Sequence, residues 1–124
     1  RGKPILVLPG NPVAAILGFE VFGRPLISKL SGIDHEDSRP MLKATVIKPV
    51  KVTLGRRNLV RVRVYHEKNE FYAVPVSARG SGMISTMTES NGYVVTSENV
   101  EGIEKGEIVL VRMFDDLEER RGNV

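Results

Sequence analysis

The stretch Ile5-Leu6-Val7-Leu8-Pro9-Gly10-Asn11-Pro12-Val13-Ala14-Ala15 constrains the fold more than any other part of the chain. Four successive aliphatics predict a strand buried on both faces, as in a parallel sheet. Pro9-Gly10 ends that strand. Asn11 is a good N-cap, and Pro12 suits the first helical position, where a missing amide costs nothing. The pattern is strand, tight turn, helix. In an open α/β sheet such a turn lies at the carboxyl ends of the strands, where ligands bind, and a helix N-terminus favours anions. A well-made turn with no ligand uses the same residue types, so the pattern alone leaves both readings open.

The helix continues through Val13, Ile16, Leu17, Phe19, Val21 and Phe22 with Glu20 its one charge. So wide an apolar surface is expected to be buried on more than one side. Gly23-Arg24-Pro25 should interrupt it. A second short helical piece then stops at Ser31-Gly32, with Gly32 as the C-terminal cap. The polar run from Ile33 to Pro40 reads as a linker. Beyond it the pattern changes to alternation: Leu42, Ala44 and Val46 share one face of a strand over Met41–Val46. Val60, Val62 and Val64 share a face over Leu59–Tyr65, with Arg61 and Arg63 opposite. The loop His66–Glu70 returns the chain into a strand over Phe71–Val76, making a hairpin in which Pro75 marks an end or an edge. Ser81 to Met87 suits a short helix capped by Ser81 and ended by Asn91-Gly92. Tyr93–Thr96 and Glu107–Met113 are further strands around a loop over Glu101–Gly106, and the charged tail from Asp115 reads as frayed or as a short exposed helix. The expected fold is thus an α/β fragment (strand plus helix) over residues 1–36, followed by a mainly-β module over residues 37–124.

Composition narrows the function by exclusion. The 124 residues are 41% hydrophobic and 27% charged, an ordinary globular balance. The net charge of +3 suits an anionic small molecule and equally suits none. Aromatics make up only 6%, which argues against a nucleic-acid partner. With no cysteine, disulfides, thiolate metal sites and a cysteine nucleophile are ruled out. His35 and His66 lie too far apart in sequence to suggest metal ligands. No apolar run is long enough for a membrane span and the first residues lack a signal-peptide pattern, so a cytoplasmic protein is expected. No nucleophile with a partner base and no paired carboxylates stand out. The groups on offer bind rather than move protons, and catalytic residues stay unassigned.

Leu8 to Ala15 resembles the signature loop of the molybdopterin molybdenumtransferases, the MoeA and gephyrin E-domain family. Gly55-Arg56 followed by Leu59 and Arg61 is similar to a family pattern with a second arginine associated with oxyanion binding. Gly80-Ser81-Gly82-Met83 resembles the family's Gly-Ser-Gly element at the start of a short helix. The likeness covers nearly the whole chain, from Ile5 to Met113. It implies that residues 1–36 end a molybdopterin-binding α/β domain and that the β module is a β-clip or small irregular barrel. It also implies binding roles for Pro9, Gly10, Asn11, Pro12, Arg61 and Ser81. A guanidinium suits molybdate because its planar fork donates two parallel charge-assisted hydrogen bonds.

By the same resemblance the activity is insertion of molybdate into adenylylated molybdopterin with Mg²⁺ and release of AMP, in a longer homodimeric polypeptide. The acidic residues and lysines that the family uses for Mg²⁺ and phosphate are expected outside these residues, so no metal ligand is assigned here. The alternative is a non-catalytic module of the gephyrin type that holds a peptide.

Overall fold

Alternating aliphatics, each burying a side chain worth roughly 1.5–3 kcal/mol, build the larger part of the molecule. The computed structural model describes residues 2–33, 39–76 and 89–114. The chain divides into two compact units, Arg1–Ser38 and Arg39–Val124. In the second unit the strands are β1 (Met41–Val46), β2 (Val50–Lys51), β3 (Leu59–Glu67), β4 (Glu70–Pro75), β5 (Gly92–Val95), β6 (Gly102–Ile103) and β7 (Ile108–Met113). Five of them close into a barrel in the order β1-β4-β3-β5-β7, and β2 and β6 form a separate two-stranded sheet. All pairs are antiparallel except β1 with β4.

The core holds Leu42, Ala44 and Val46 from β1, Val60, Val62 and Val64 from β3, and Ala73, Val94, Ile103, Val111 and Met113. These include the two aliphatic faces that the alternation predicts. The mainly-β module expected from the sequence is therefore a small closed barrel. Its hairpin is tighter than the sequence suggests. Strands β3 and β4 pair as far as Glu67 and Glu70, leaving only Lys68 and Asn69 in the turn. Both have positive φ, 49° and 63°, as a type I′ turn requires. Pro75 ends β4 as expected, though between two neighbours rather than at an edge. The two-residue strand β6 falls within the loop expected over Glu101–Gly106, and β2 falls in a stretch to which the sequence assigns no element.

In the first unit, α1 (Pro12–Gly18) opens on Asn11, whose side chain accepts from the Val13 and Ala14 amides at 3.0 and 3.3 Å. The interruption expected at Pro25 is milder than a break. A π-helical turn over Phe19–Gly23 leads directly into α2 (Arg24–Leu30), and the Arg24 amide donates to the Phe19 carbonyl. Pro25 cannot donate to the carbonyl four residues back, and a wider turn accommodates that loss without ending the helical path. Gly32 closes α2 with φ of 68°. Its amide bonds to the Lys29 carbonyl and that of Ile33 to the Ser28 carbonyl, the paired bonds of a Schellman cap.

The strand expected over Ile5–Leu8 is not formed: residues 2–9 are irregular, and Ile5 and Val7 are 86% and 84% exposed. A parallel strand exists only against a neighbour on its hydrogen-bonding edge, and no described strand pairs with it. Likewise Phe22 stays exposed, where the apolar surface of the helix called for burial, and Ile27 and Leu30 of α2 are exposed as well.

Candidate functional site

Strand β3 lifts two arginines off the valine face, and the surroundings separate them. Arg63 is exposed, whereas Arg61 retains only 5% of its accessible surface. The face opposite the valines is therefore solvated at Arg63 and covered at Arg61. Period-2 alternation decides which face a side chain takes, and here that face is covered. Burial lowers the Arg61 pKa from its ordinary value, but an arginine stays charged at neutral pH.

Arg61 lines a groove of about 730 Å³ together with Lys48 to Thr53, Asn58 to Val60, Pro75 and Val76. One wall is the excursion that carries β2, and the other is made by the adjoining ends of β3 and β4. The wall is held at its tip by Asn58. Its side chain donates to the carbonyls of Thr53 and Arg56 at 2.9 and 3.0 Å and accepts from the Thr53 amide at 3.4 Å. Asn58 is tied to β5 in turn, since the Thr96 amide donates to its carbonyl at 2.9 Å. Gly55, at φ of 87°, makes the bend that this loop needs.

Among the described residues, the charged groups that line the groove are Lys48, Lys51 and Arg61. Arg61 was singled out from the sequence and the two lysines were not. A signal for them exists: from Arg39 to His66 the chain carries Arg39, Lys43, Lys48, Lys51, Arg56, Arg57, Arg61 and Arg63 with no Asp or Glu among them. Among the described residues no group of three or more His, Cys, Asp or Glu could hold a metal ion, and no helix is long and apolar enough to cross a membrane.

The other expected binding residues are distributed differently. Pro9, Gly10, Asn11 and Pro12 form the exposed entry to α1 in the first unit. The Asn11 carboxamide oxygen already accepts the two amides that an anion at this helix start would use. Ser81 and its helix lie outside the described residues, as does the charged tail. Both ends of the segment that contains Ser81 are nevertheless fixed on β3 near Arg61. The Val76 amide donates to the Arg61 carbonyl at 3.0 Å, and the Asn91 amide to the Val62 carbonyl at 3.0 Å.

Asn91, read from sequence as a turn signal, is buried. Its Oδ1 accepts from the Val64 amide at 2.6 Å and its Nδ2 donates to the Val64 carbonyl at 2.7 Å.

A closed five-stranded module with a cation-lined groove, following a separate helical unit in the sequence, is the class of structure these features define. The chain belongs to the family described as the MoeA C-terminal region (domain IV), whose model matches residues 43–114. Among curated relatives, the molybdopterin molybdenumtransferase of Haemophilus influenzae is 31% identical over 111 residues, 89% of this chain and 28% of the relative. A molybdenum cofactor biosynthesis protein from Pyrococcus furiosus superposes with a TM-score of 0.71 at 35% identity, over 85% of this chain and 36% of its own. The molybdopterin biosynthesis MoeA protein from Pyrococcus horikoshii gives 0.73 at 28% identity, over 93% and 27%. The chain thus spans about a quarter of the length of the curated relatives it matches.

Proposed function

We propose that this chain is the C-terminal portion of a molybdopterin molybdenumtransferase that inserts molybdate into adenylylated molybdopterin during molybdenum cofactor biosynthesis. The observation that carries this reading is Arg61, a buried guanidinium that lines a groove together with Lys48 and Lys51 on the barrel of the MoeA C-terminal family. In this reading Arg61 holds the oxyanion through its planar fork of donors, and Ser81 contributes a second polar group. Pro9, Gly10, Asn11 and Pro12 form a stiff loop toward the pterin substrate in the complete α/β domain. Mg²⁺ finds its ligands elsewhere in the longer polypeptide, which acts as a homodimer. The names of the relatives support a transferase over the peptide-holding alternative.

The residues of this chain orient and neutralise an anion, and the reading asks no proton transfer of them. The test is calorimetry with molybdate on the full-length enzyme. A hydrogen bond to a charged group contributes about 1.5–3 kcal/mol, so Arg61→Ala should weaken binding on the order of tenfold or more, with Arg63→Ala nearly neutral. Equal effects from the two substitutions would overturn the assignment.

A further inference from the structure

Asn91-Gly92 carries a chemical hazard that neither residue carries alone. In a flexible chain the backbone nitrogen of a glycine attacks the side-chain carbonyl carbon of a preceding asparagine readily, because no Cβ stands in the way. Of the six asparagines in the chain, Asn91 alone is followed by glycine. The fold calls for both residues, for different reasons. Asparagine is needed because its carboxamide accepts from the Val64 amide at 2.6 Å and donates to the Val64 carbonyl at 2.7 Å. Glycine is needed because a Cβ in its place would lie 2.7 Å from the Arg112 carbonyl oxygen. Packing against two strands, β3 and β7, thus imposes a reactive pair.

The same contacts keep the pair from reacting. Attack requires the Asn91 carboxamide to swing off Val64 and the peptide that joins it to Gly92 to turn toward it. Both are held. The Asn91 amide donates to the Val62 carbonyl at 3.0 Å, and the carbonyl of the Asn91–Gly92 peptide accepts from the Phe114 amide at 3.0 Å. Gly92 and Tyr93 are in register with β3 on one side and β7 on the other. Asn91 is also buried, away from the water that the later step consumes.

We propose that Asn91-Gly92 is a modification site gated by the fold, closed while β5 lies between β3 and β7 and open to spontaneous deamidation whenever β5 leaves them. In the open chain the Gly92 nitrogen bonds to Asn91 Cγ and loses its proton to solvent. The carboxamide nitrogen departs as ammonia, taking up one proton in exchange, and a five-membered imide remains. Water then opens the imide at one carbonyl or the other, leaving aspartate or isoaspartate. Neither product rebuilds the site. An ionised carboxylate only accepts, so aspartate sets an oxygen against the Val64 carbonyl and buries a charge. Isoaspartate adds a methylene to the main chain ahead of Gly92, which displaces β5 from its register on β3. An opening that the unmodified chain would reverse therefore becomes permanent.

The test incubates the 124-residue chain in mildly alkaline buffer and follows conversion at each asparagine by peptide mapping and mass spectrometry. In guanidinium chloride above the unfolding transition, Asn91 should convert faster than every other asparagine. In native buffer its rate should fall by about a hundredfold or more, because reaction then tracks the population of the open form. Val111 is fully buried and lies against Gly92, so Val111→Ala should raise the native rate at Asn91 on the order of tenfold by loosening the core. Asn69, in the exposed hairpin turn, should keep its rate in that variant. A second measurement needs no substitution: in wild type, denaturant added below the transition should speed conversion at Asn91 in step with hydrogen exchange at the Tyr93 amide. Asn91→Asp, which installs one product directly, should lower the denaturation midpoint where Asn69→Asp does not. A native rate equal to the unfolded one would overturn the proposal. So would an Asn91 rate that stays constant while Tyr93 exchange accelerates, or an Asn91→Asp chain as stable as wild type.

Discussion

Asn91 makes with its side chain the hydrogen bonds that a strand would make with its backbone. Strand β5 pairs with β3 only from Gly92 onward, so Val64, two residues beyond the last pair, would face an empty edge. The carboxamide satisfies both its amide and its carbonyl. Leaving a buried polar group without a partner costs about 1–3 kcal/mol, so Asn91→Ala, which strands two, should destabilise the module by about 2–5 kcal/mol. Urea denaturation measures it. A loss no larger than that of Asn11→Ala, an exposed helix cap worth about 0.5–2 kcal/mol, would show that water replaces the carboxamide.

Tyr72 gives a second prediction at this scale. Its hydroxyl donates to Glu70 at 3.0 Å, and that hydrogen bond, reinforced by the carboxylate charge, raises the phenol pKa above its ordinary value of 10. Stability from this contact is present below the unfolded phenol pKa and is lost as pH rises through the folded one. Ultraviolet titration should therefore show Tyr72 ionising late, and Glu70→Gln should bring it earlier. A titration unmoved by that substitution would remove Glu70 as the cause.

Among the elements, the β5–β7 seam is one of the two shortest in pairing, with only Gly92 and Tyr93 in register against Met113 and Arg112, as few as join β1 to β4. A Cβ at Gly92 would lie 2.7 Å from the Arg112 carbonyl oxygen and 2.7 Å from Val111 Cγ1. The backbone of β7 cannot yield without opening the seam, so Gly92→Ala should cost about 1–3 kcal/mol. Hydrogen exchange should be accelerated first at Tyr93 and Met113. Uniform acceleration around the barrel would mean that the seam is not the weak joint.

The same elements show what a sequence can and cannot reveal. Strand β1 was legible to the residue, Met41–Val46, because Leu42, Ala44 and Val46 alternate cleanly between turn-forming neighbours. Strands β2 and β6 have two residues each, too few for any period to register. The aliphatic run Ile5–Leu8 carries a strand signal, yet a strand is a relation between segments, and its partner is not among those described. Arg61 was legible as outward-facing but not as buried, since alternation assigns a side chain to a face and says nothing of what covers that face. The Asn91-Gly92 dipeptide looks like a turn, and its composition says nothing of Val64 on another strand.

For the molecule as a whole, the two units differ in how completely they satisfy themselves. The barrel bonds every strand on both edges. The first unit leaves Ile5, Val7, Phe22, Ile27 and Leu30 in water, and apolar surface of that kind marks a place for further protein. We therefore expect the purified 124-residue chain to release no AMP when supplied with adenylylated molybdopterin and molybdate, and to self-associate through its first unit. Turnover by this chain free of a longer enzyme would place the missing catalytic groups within it. Light scattering that reports a monomer at high concentration would remove the self-association.

The barrel closes by joining β1 to β7, pairing Met41 with Arg112 and Thr45 with Ile108. More than sixty residues separate those partners along the chain. Contacts so distant must wait until the intervening loop entropy has been overcome, which places a module of this topology among slow, millisecond-to-second folders rather than fast helical ones. The consequence falls on synthesis. Until Ile108–Met113 has left the ribosome, β1 and β5 both wait with open hydrogen-bonding edges, and the nascent chain is most vulnerable to mispairing in that interval.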